Sequence, residues 1–262
     1  MFRIFLLGAV LLMAQPSATW AQLTGEPSKD PRQLNFQLFE AAKKGRTSDV
    51  MLYLKHGASI EARDRFSNTA LLLAAFSGRA KTVKTLLEAG SDIKHQNITG
   101  STALYRAAKA GKSKSVKLLL KAGADINILN KKRLSPLIAA AFNGDENMFR
   151  LLLSKGAKPD VEDAFGKSAI IYAAGKGFAV IVGALLDKGI DVNKAYGNNL
   201  TVLMWAAGHS NDVPPVDAVK TVELLLERGA RLGLKDNRGK TARMIAVDMG
   251  HEAVMKVLTA AK

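Results

Sequence analysis

The sequence predicts an all-α solenoid, a row of short helix pairs stacked side by side, and three regularities carry that prediction. Hydroxyl residues recur at Thr69, Thr102, Ser135, Ser168 and Thr201, each 33 residues after the last, and return at Thr241 after 40. Glycines keep the same step at Gly57, Gly90, Gly123, Gly156 and Gly189, then at Gly229 after the longer interval. Between them lie alanine pairs at Ala41/Ala42, Ala74/Ala75, Ala107/Ala108, Ala140/Ala141, Ala173/Ala174 and Ala206/Ala207. Self-similarity at a period of roughly 20–50 residues is the signature of a stacked array.

Each element of one unit has a physical reason. The Ser or Thr is placed as the N-cap of a first helix, where its side chain can accept from an otherwise unpartnered backbone N–H. The alanine pair sits midway along that helix and lets neighbouring helices approach closely. Further on, Val83, Leu86 and Leu87 recur as Val116, Leu119 and Leu120, as Phe149, Leu152 and Leu153, and as Val222, Leu225 and Leu226. Spacing of three and four puts them on one face of a second helix. That helix stops at the recurring glycine, the residue best able to take a left-handed C-terminal conformation. A turn segment such as Asp163-Ala164-Phe165-Gly166-Lys167 leads to the next hydroxyl. No unit can bury its apolar face alone, so stability comes from neighbours.

With 33 as the step and six copies in register, the chain resembles the ankyrin-repeat family over about residues 34–262. The resemblance implies an ankyrin-repeat solenoid of about seven stacked helix pairs with turn or β-hairpin fingers, and a role in binding proteins along a concave groove. The chain departs from the family pattern Thr-Pro-Leu-His at the helix start. Only Ser135-Pro136-Leu137 keeps the proline, and the histidine slot holds Leu72, Tyr105, Ile138, Ile171, Met204 and Met244. Apolar packing must replace the usual hydrogen bonding there.

Taken in order, residues 1–21 have one positive charge at Arg3, an apolar run from Ile4 to Met13, a break at Pro16 and small residues before Ala21. That is the layout of a secretory signal peptide cleaved after Ala21. The run is too short for a lasting bilayer anchor, so the mature chain is expected to be soluble and not transmembrane. Export without cysteine points to a bacterial periplasm or to secretion. Residues 22–33 are polar with two prolines and read as a flexible leader. The repeat domain is expected over 34–262: a cap unit at 34–66, full units at 67–99, 100–132, 133–165, 166–198 and 199–238, and a C-terminal cap at 239–262. In the cap unit Phe36, Leu38 and Phe39 mark the first helix, and Val50, Tyr53 and Leu54 its partner.

The seven extra residues of the long interval fall at 210–216, between the two helices of the sixth unit. Asn211, Asp212, Pro214 and Pro215 mark this insertion as a loop, with Asp217 expected to cap the helix that follows. Per-unit insertions in arrays map to loops, often at the binding edge. An insertion tolerated because loop length is cheap is the neutral alternative.

Charge is uneven. Signal removal takes away only Arg3, leaving 37 Lys and Arg against 23 Asp and Glu. Residues 22–132 hold 20 basic and 9 acidic residues; residues 133–262 hold 17 and 14. Lys112, Lys114, Lys117 and Lys121 form a basic patch, the last three sharing the outer face of one helix. A solvated surface that prevents association is one reading. The sharper one is an acidic protein or the phosphate-bearing inner envelope surface. The aromatic interleaving of a single-strand binder is missing, which argues against nucleic acid.

The resemblance places the groove at the turn tips and along the inner helices. Arg65 and Phe66, Lys131 and Lys132, and Phe165 fall at tips; Phe76, Arg106, Lys109, Phe142, Trp205 and His209 fall on inner helices. Aromatic and Arg residues at solvent-facing positions are the expected anchors of a partner interface, the alternative being that a phenylalanine folds back as local core. Catalytic constellations are absent from the sequence pattern. The four histidines, His56, His95, His209 and His251, show no i,i+4 pairing and there is no cysteine, so no metal or other cofactor is expected. His56 precedes a helix-ending glycine, where a cation suits the helix C-terminus. The expected function is a non-catalytic protein-binding scaffold of the bacterial envelope, acting as a monomer on a protein partner. An adaptor for an anionic surface or acidic partner and a secreted effector that binds a host protein are the alternatives.

Overall fold

A computed structural model describes residue 28 and residues 30–261, so the expected signal peptide and most of the leader lie outside the described residues. Among these residues fourteen α-helices form seven pairs. The first members are α1 (Pro31–Lys44), α3 (Ala70–Phe76), α5 (Ala103–Lys109), α7 (Pro136–Phe142), α9 (Ala169–Gly175), α11 (Val202–Ala207) and α13 (Ala242–Asp248). The second members are α2 (Thr47–Lys55), α4 (Ala80–Glu88), α6 (Ser113–Lys121), α8 (Glu146–Ser154), α10 (Ala179–Leu186), α12 (Pro215–Glu227) and α14 (Glu252–Ala260). Each first helix packs on the next first helix from α1 to α13, giving an inner layer, and the second helices form an outer layer behind it.

The recurring residues explain the packing. Every alanine of the six pairs is fully buried, as are Val83, Leu86, Val116, Leu119, Leu152, Val222 and Leu225 on the outer helices. The core is therefore one continuous strip running through all units rather than a central ball. All six periodic Ser and Thr residues occupy the N-cap position. Thr102, Ser135, Thr201 and Thr241 accept from the backbone N–H three residues on, whereas Thr69 and Ser168 make no capping hydrogen bond.

Two further series of contacts hold unit to unit. At the tight turn between paired helices, the next unit's side chain lies where a Cβ would stand: Arg79 over Gly45, Lys112 over Gly78, Phe178 over Gly144 and Val213 over Gly177. These glycines have φ between 66° and 80° with that of Gly111 included, so both the backbone and the neighbour require them. At the finger between units an Asx side chain organises the turn. Asp64 accepts from Phe66 and Asn68 N–H at 2.8 Å each, and Asn97, Asn130, Asp163 and Asp236 repeat the pattern. Backbone hydrogen bonds then join finger to finger, Ile98 N–H to Phe66 O, Lys131 to Thr99 and Ala164 to Lys132. The fifth finger has Tyr196 in the Asx slot and folds as a 3-10 turn at Gly197–Asn199 instead.

Two boundaries differ from the sequence expectation. Helix α1 starts at Pro31, inside the stretch read as leader, because Asp30 accepts from Arg32 N–H at 2.9 Å and caps it while Pro31 fits the first helical position. Helix α12 starts at Pro215, so Asp217 lies in its first turn instead of capping it. Proline at a helix start loses no hydrogen bond and its fixed φ suits the helix. Part of the insertion thus becomes helix, giving α12 13 residues against 9 in α4, α6 and α8.

Candidate functional site

The fingers and the carboxyl ends of the inner helices share one face, and the sequence places large side chains there. Phe66 is 47% exposed, Phe76 44%, Phe142 49% and Phe165 70%, so none of the four is local core. Phe66, Phe76 and Phe142 each sit against a cationic or aromatic neighbour. The Arg65 guanidinium lies 4.7 Å from the Phe66 ring centroid, and that of Arg106 lies 4.3 Å from Phe76. Phe142 meets Tyr172 edge to face with centroids 5.4 Å apart. The Lys167 ammonium sits 4.3 Å over the half-buried Trp205 ring and 5.8 Å from Tyr172. Such contacts hold a cation on an aromatic face at modest cost in hydration.

The inner-helix position just before the alanine pair explains the relief of this face. It reads Leu73, Arg106, Ala139, Tyr172, Trp205 along the units. The position three residues on reads Phe76, Lys109, Phe142, Gly175, Gly208. Small residues at Ala139 and Gly175 leave two hollows of about 190 Å³ each. The first is lined by Tyr105, Lys109, Ala139, Phe142 and Tyr172; the second by Phe142, Lys167, Tyr172, Gly175 and Trp205. The Phe142–Tyr172 pair is the ridge between them. Tyr105 and Tyr172 thus join the site although the sequence pattern alone did not single them out as groove residues, and Lys167 joins them from the turn-tip slot beside Phe165. The signal that finds them is this alternation of large and small along one slot.

Electrostatics on the face favours acceptors. Lys109, Lys131 and Lys132 are exposed, and neither they, Arg106 nor Lys167 forms an ion pair within 4.0 Å among the described residues. Burial lowers the Arg106 pKa, with Asp64 and Tyr105 opposing, but a guanidinium stays charged in water. Arg106 Nε and Trp205 Nε1 are buried donors with no hydrogen-bond partner among the described residues. The Tyr172 hydroxyl, by contrast, donates to the Asp163 carboxylate, and burial together with that bond raises its pKa.

His209 corrects the sequence expectation. It is only 6% exposed and lines the cleft between the insertion and the last unit instead of standing free as an anchor. Its ring stacks on His251 with centroids 3.7 Å apart and planes 6° from parallel, so two histidines distant in sequence meet. His251 Nδ1 donates to Ala207 O at 2.8 Å and His209 Nδ1 to Ser210 O at 3.0 Å. The insertion is anchored beside them. Ser210 N–H donates to Gly175 O at 3.1 Å, and Asp212 forms an ion pair with Lys176 at 2.9 Å. That ammonium first, and Ser210 second, hold the Asp212 carboxyl at about 2. Asn211, Pro215, Val213 and the last unit wall an open cleft of about 780 Å³; Pro214 is exposed at its edge of the loop. The cleft is walled by Val213, Val219, Val254 and Val257 with His209, His251, Glu252 and Lys256, and holds none of the four exposed phenylalanines.

On and beside the outer helix α6, Lys112, Lys114, Lys117 and Lys121 are exposed without an ion pair among the described residues. Three of them ride α6, and Lys112 lies across Gly78. His56 caps α2, its Nδ1 donating to Leu52 O at 2.8 Å. No group of three or more His, Cys, Asp or Glu that could hold a metal is found among the described residues. No helix among them is long and apolar enough to cross a membrane.

The comparisons with known proteins agree with the fold. A family model described as Ankyrin repeats (3 copies) matches residues 38–130, 111–196 and 137–236. The crystal structure of the human ASB11 ankyrin repeat domain is similar, with 25% sequence identity and a TM-score of 0.74, covering 86% of this chain and 97% of that one. A search of the curated proteins finds no match.

Proposed function

We propose that this chain, which belongs to the ankyrin-repeat family, is a non-catalytic scaffold of the bacterial envelope that holds a protein partner in the concave groove of fingers and inner helices. Ankyrin repeats bind proteins, and the observation that carries the finer reading is the finger face itself. Four exposed phenylalanines alternate there with cations that lack a carboxylate partner among the described residues. Aromatic anchors ringed by polar groups are what interfaces concentrate their energy in. Because the array is folded before the partner arrives, little ordering entropy opposes binding. The signal-like start supports an envelope or secreted location, which mass spectrometry of the mature chain tests: its first residue should be Gln22.

The direct experiment is affinity purification from the envelope fraction with wild type and with Phe76→Ala, Phe142→Ala and Phe165→Ala combined. Loss of specific partners from the triple variant is expected. Equal recovery of every partner would remove the groove.

A second reading has its own observation, the lysines of the outer helix α6 and its N-cap Lys112, which form no ion pair among the described residues. They suit an anionic envelope surface. Affinity for vesicles of anionic lipid should then fall steeply as salt rises, and salt-independent affinity would contradict it.

A further inference from the structure

We infer that the groove takes an acidic segment in the extended, threefold polyproline II conformation, carrying an apolar side chain at every third position. The inference rests on the protein-binding reading above and adds the chemistry of the bound chain. Its first support is size. Small-molecule sites run to roughly 300–1,000 Å³, whereas each hollow beside the Phe142–Tyr172 ridge is about 190 Å³, room for one side chain such as leucine.

Its second support is pitch. The two hollows are offset by one repeat unit, and packed helices lie about 8–10 Å apart. A chain lying along the units must therefore present side chains on one face at that interval. A polyproline II helix does so, with three residues per turn at about 3.1 Å each. A β-strand returns to the same face after about 6.6 Å. An α-helix brings a side chain round every ~5.4 Å and would set one against the ridge.

Its third support is the character of the walls. Lys109 flanks the first hollow and Lys167 the second, neither in an ion pair among the described residues. Carboxylates complement the cations. A polyproline II backbone makes no internal hydrogen bonds, so its carbonyls remain available to the ammonium groups of Lys109 and Lys167.

The test is fluorescence anisotropy with a labelled peptide of tandem Glu-Pro-Leu triplets, against the full chain at low salt. Three controls replace Glu by Lys, replace Leu by Ser, or alternate Glu with Leu at every second position. The Glu-Pro-Leu peptide should bind at least about tenfold tighter than each control, a difference of about 1.4 kcal/mol. Phe142→Ala and, separately, the exposed Lys109→Glu should each weaken it by about tenfold, with Lys109→Glu melting as the wild type does. No binding, or equal binding of the Lys or alternating peptide, overturns the inference. If the peptides fail while partner capture still depends on Phe76, Phe142 and Phe165, only the chemistry of the bound chain is wrong. If that dependence is missing too, the groove itself is wrong.

Discussion

Gly144 shows what a single residue contributes to an array. A Cβ added there would stand 2.5 Å from the Phe178 ring, at a φ of 68° that side chains rarely adopt. Gly57 has a φ of 97° with nothing within 4 Å of the added atom. Gly57→Ala should therefore cost only the left-handed penalty, roughly 1–2 kcal/mol. Gly144→Ala should cost about 1–3 kcal/mol more, because Phe178 must move and two units separate. Urea denaturation of both variants checks this; equal losses would show that the side chain over the turn contributes nothing. The glycines that end helices stand out by their 33-residue step in the sequence. The turn glycines at 45, 78, 111, 144 and 177 keep that step as well, but their role depends on a side chain from the next unit, which no local pattern displays.

His209 gives the residue scale its pH dependence. Burial lowers its pKa, the Ser210 carbonyl opposes this, and the nearby His251 adds to the lowering. The unfolded chain then binds the proton more readily, so the associated stability is present above about pH 6.5 and is lost as pH falls through the folded value. The urea midpoint should drop between about pH 7 and pH 5, and His209→Phe, which keeps a ring on His251, should drop less. An identical drop in both proteins would remove His209 as the cause.

At the scale of elements, the insertion is the feature that breaks the repeat and then rejoins it. Its Val213 takes the place over Gly177 that Phe178 takes over Gly144, and is 6% exposed. Its Pro215 begins α12, lengthening that helix. Val213→Ala should destabilise by about 1–2 kcal/mol through lost packing on the fifth unit, read as a lower thermal midpoint, whereas Asn211→Ala on the exposed loop should leave it unchanged. Matching midpoints for the two would mean that the loop rests on the surface without holding it. The excess of seven residues was legible as an insertion between helices. Its split into an anchored loop and an extra helical turn was not, because proline is equally compatible with ending a loop and with opening a helix.

For the whole molecule, stacking explains both what the sequence discloses and what it withholds. Period, caps and alanine pairs are properties of one unit, so the solenoid is readable from residues alone. The finger face is a property of neighbours. Ala139 and Gly175 look like ordinary small inner-helix residues until Tyr105, Phe142, Tyr172 and Trp205 close around them across the units and turn them into hollows. The His209–His251 stack joins residues that only adjacent units bring together. The central claim is that this face, and not the outer helices, holds the partner. Site-specific photo-crosslinking tests it most directly, with Phe142→p-benzoylphenylalanine on the finger face and Val180→p-benzoylphenylalanine on exposed α10. The account predicts a partner adduct from position 142 and none from position 180; adducts from 180 alone, or equally from both, would contradict it.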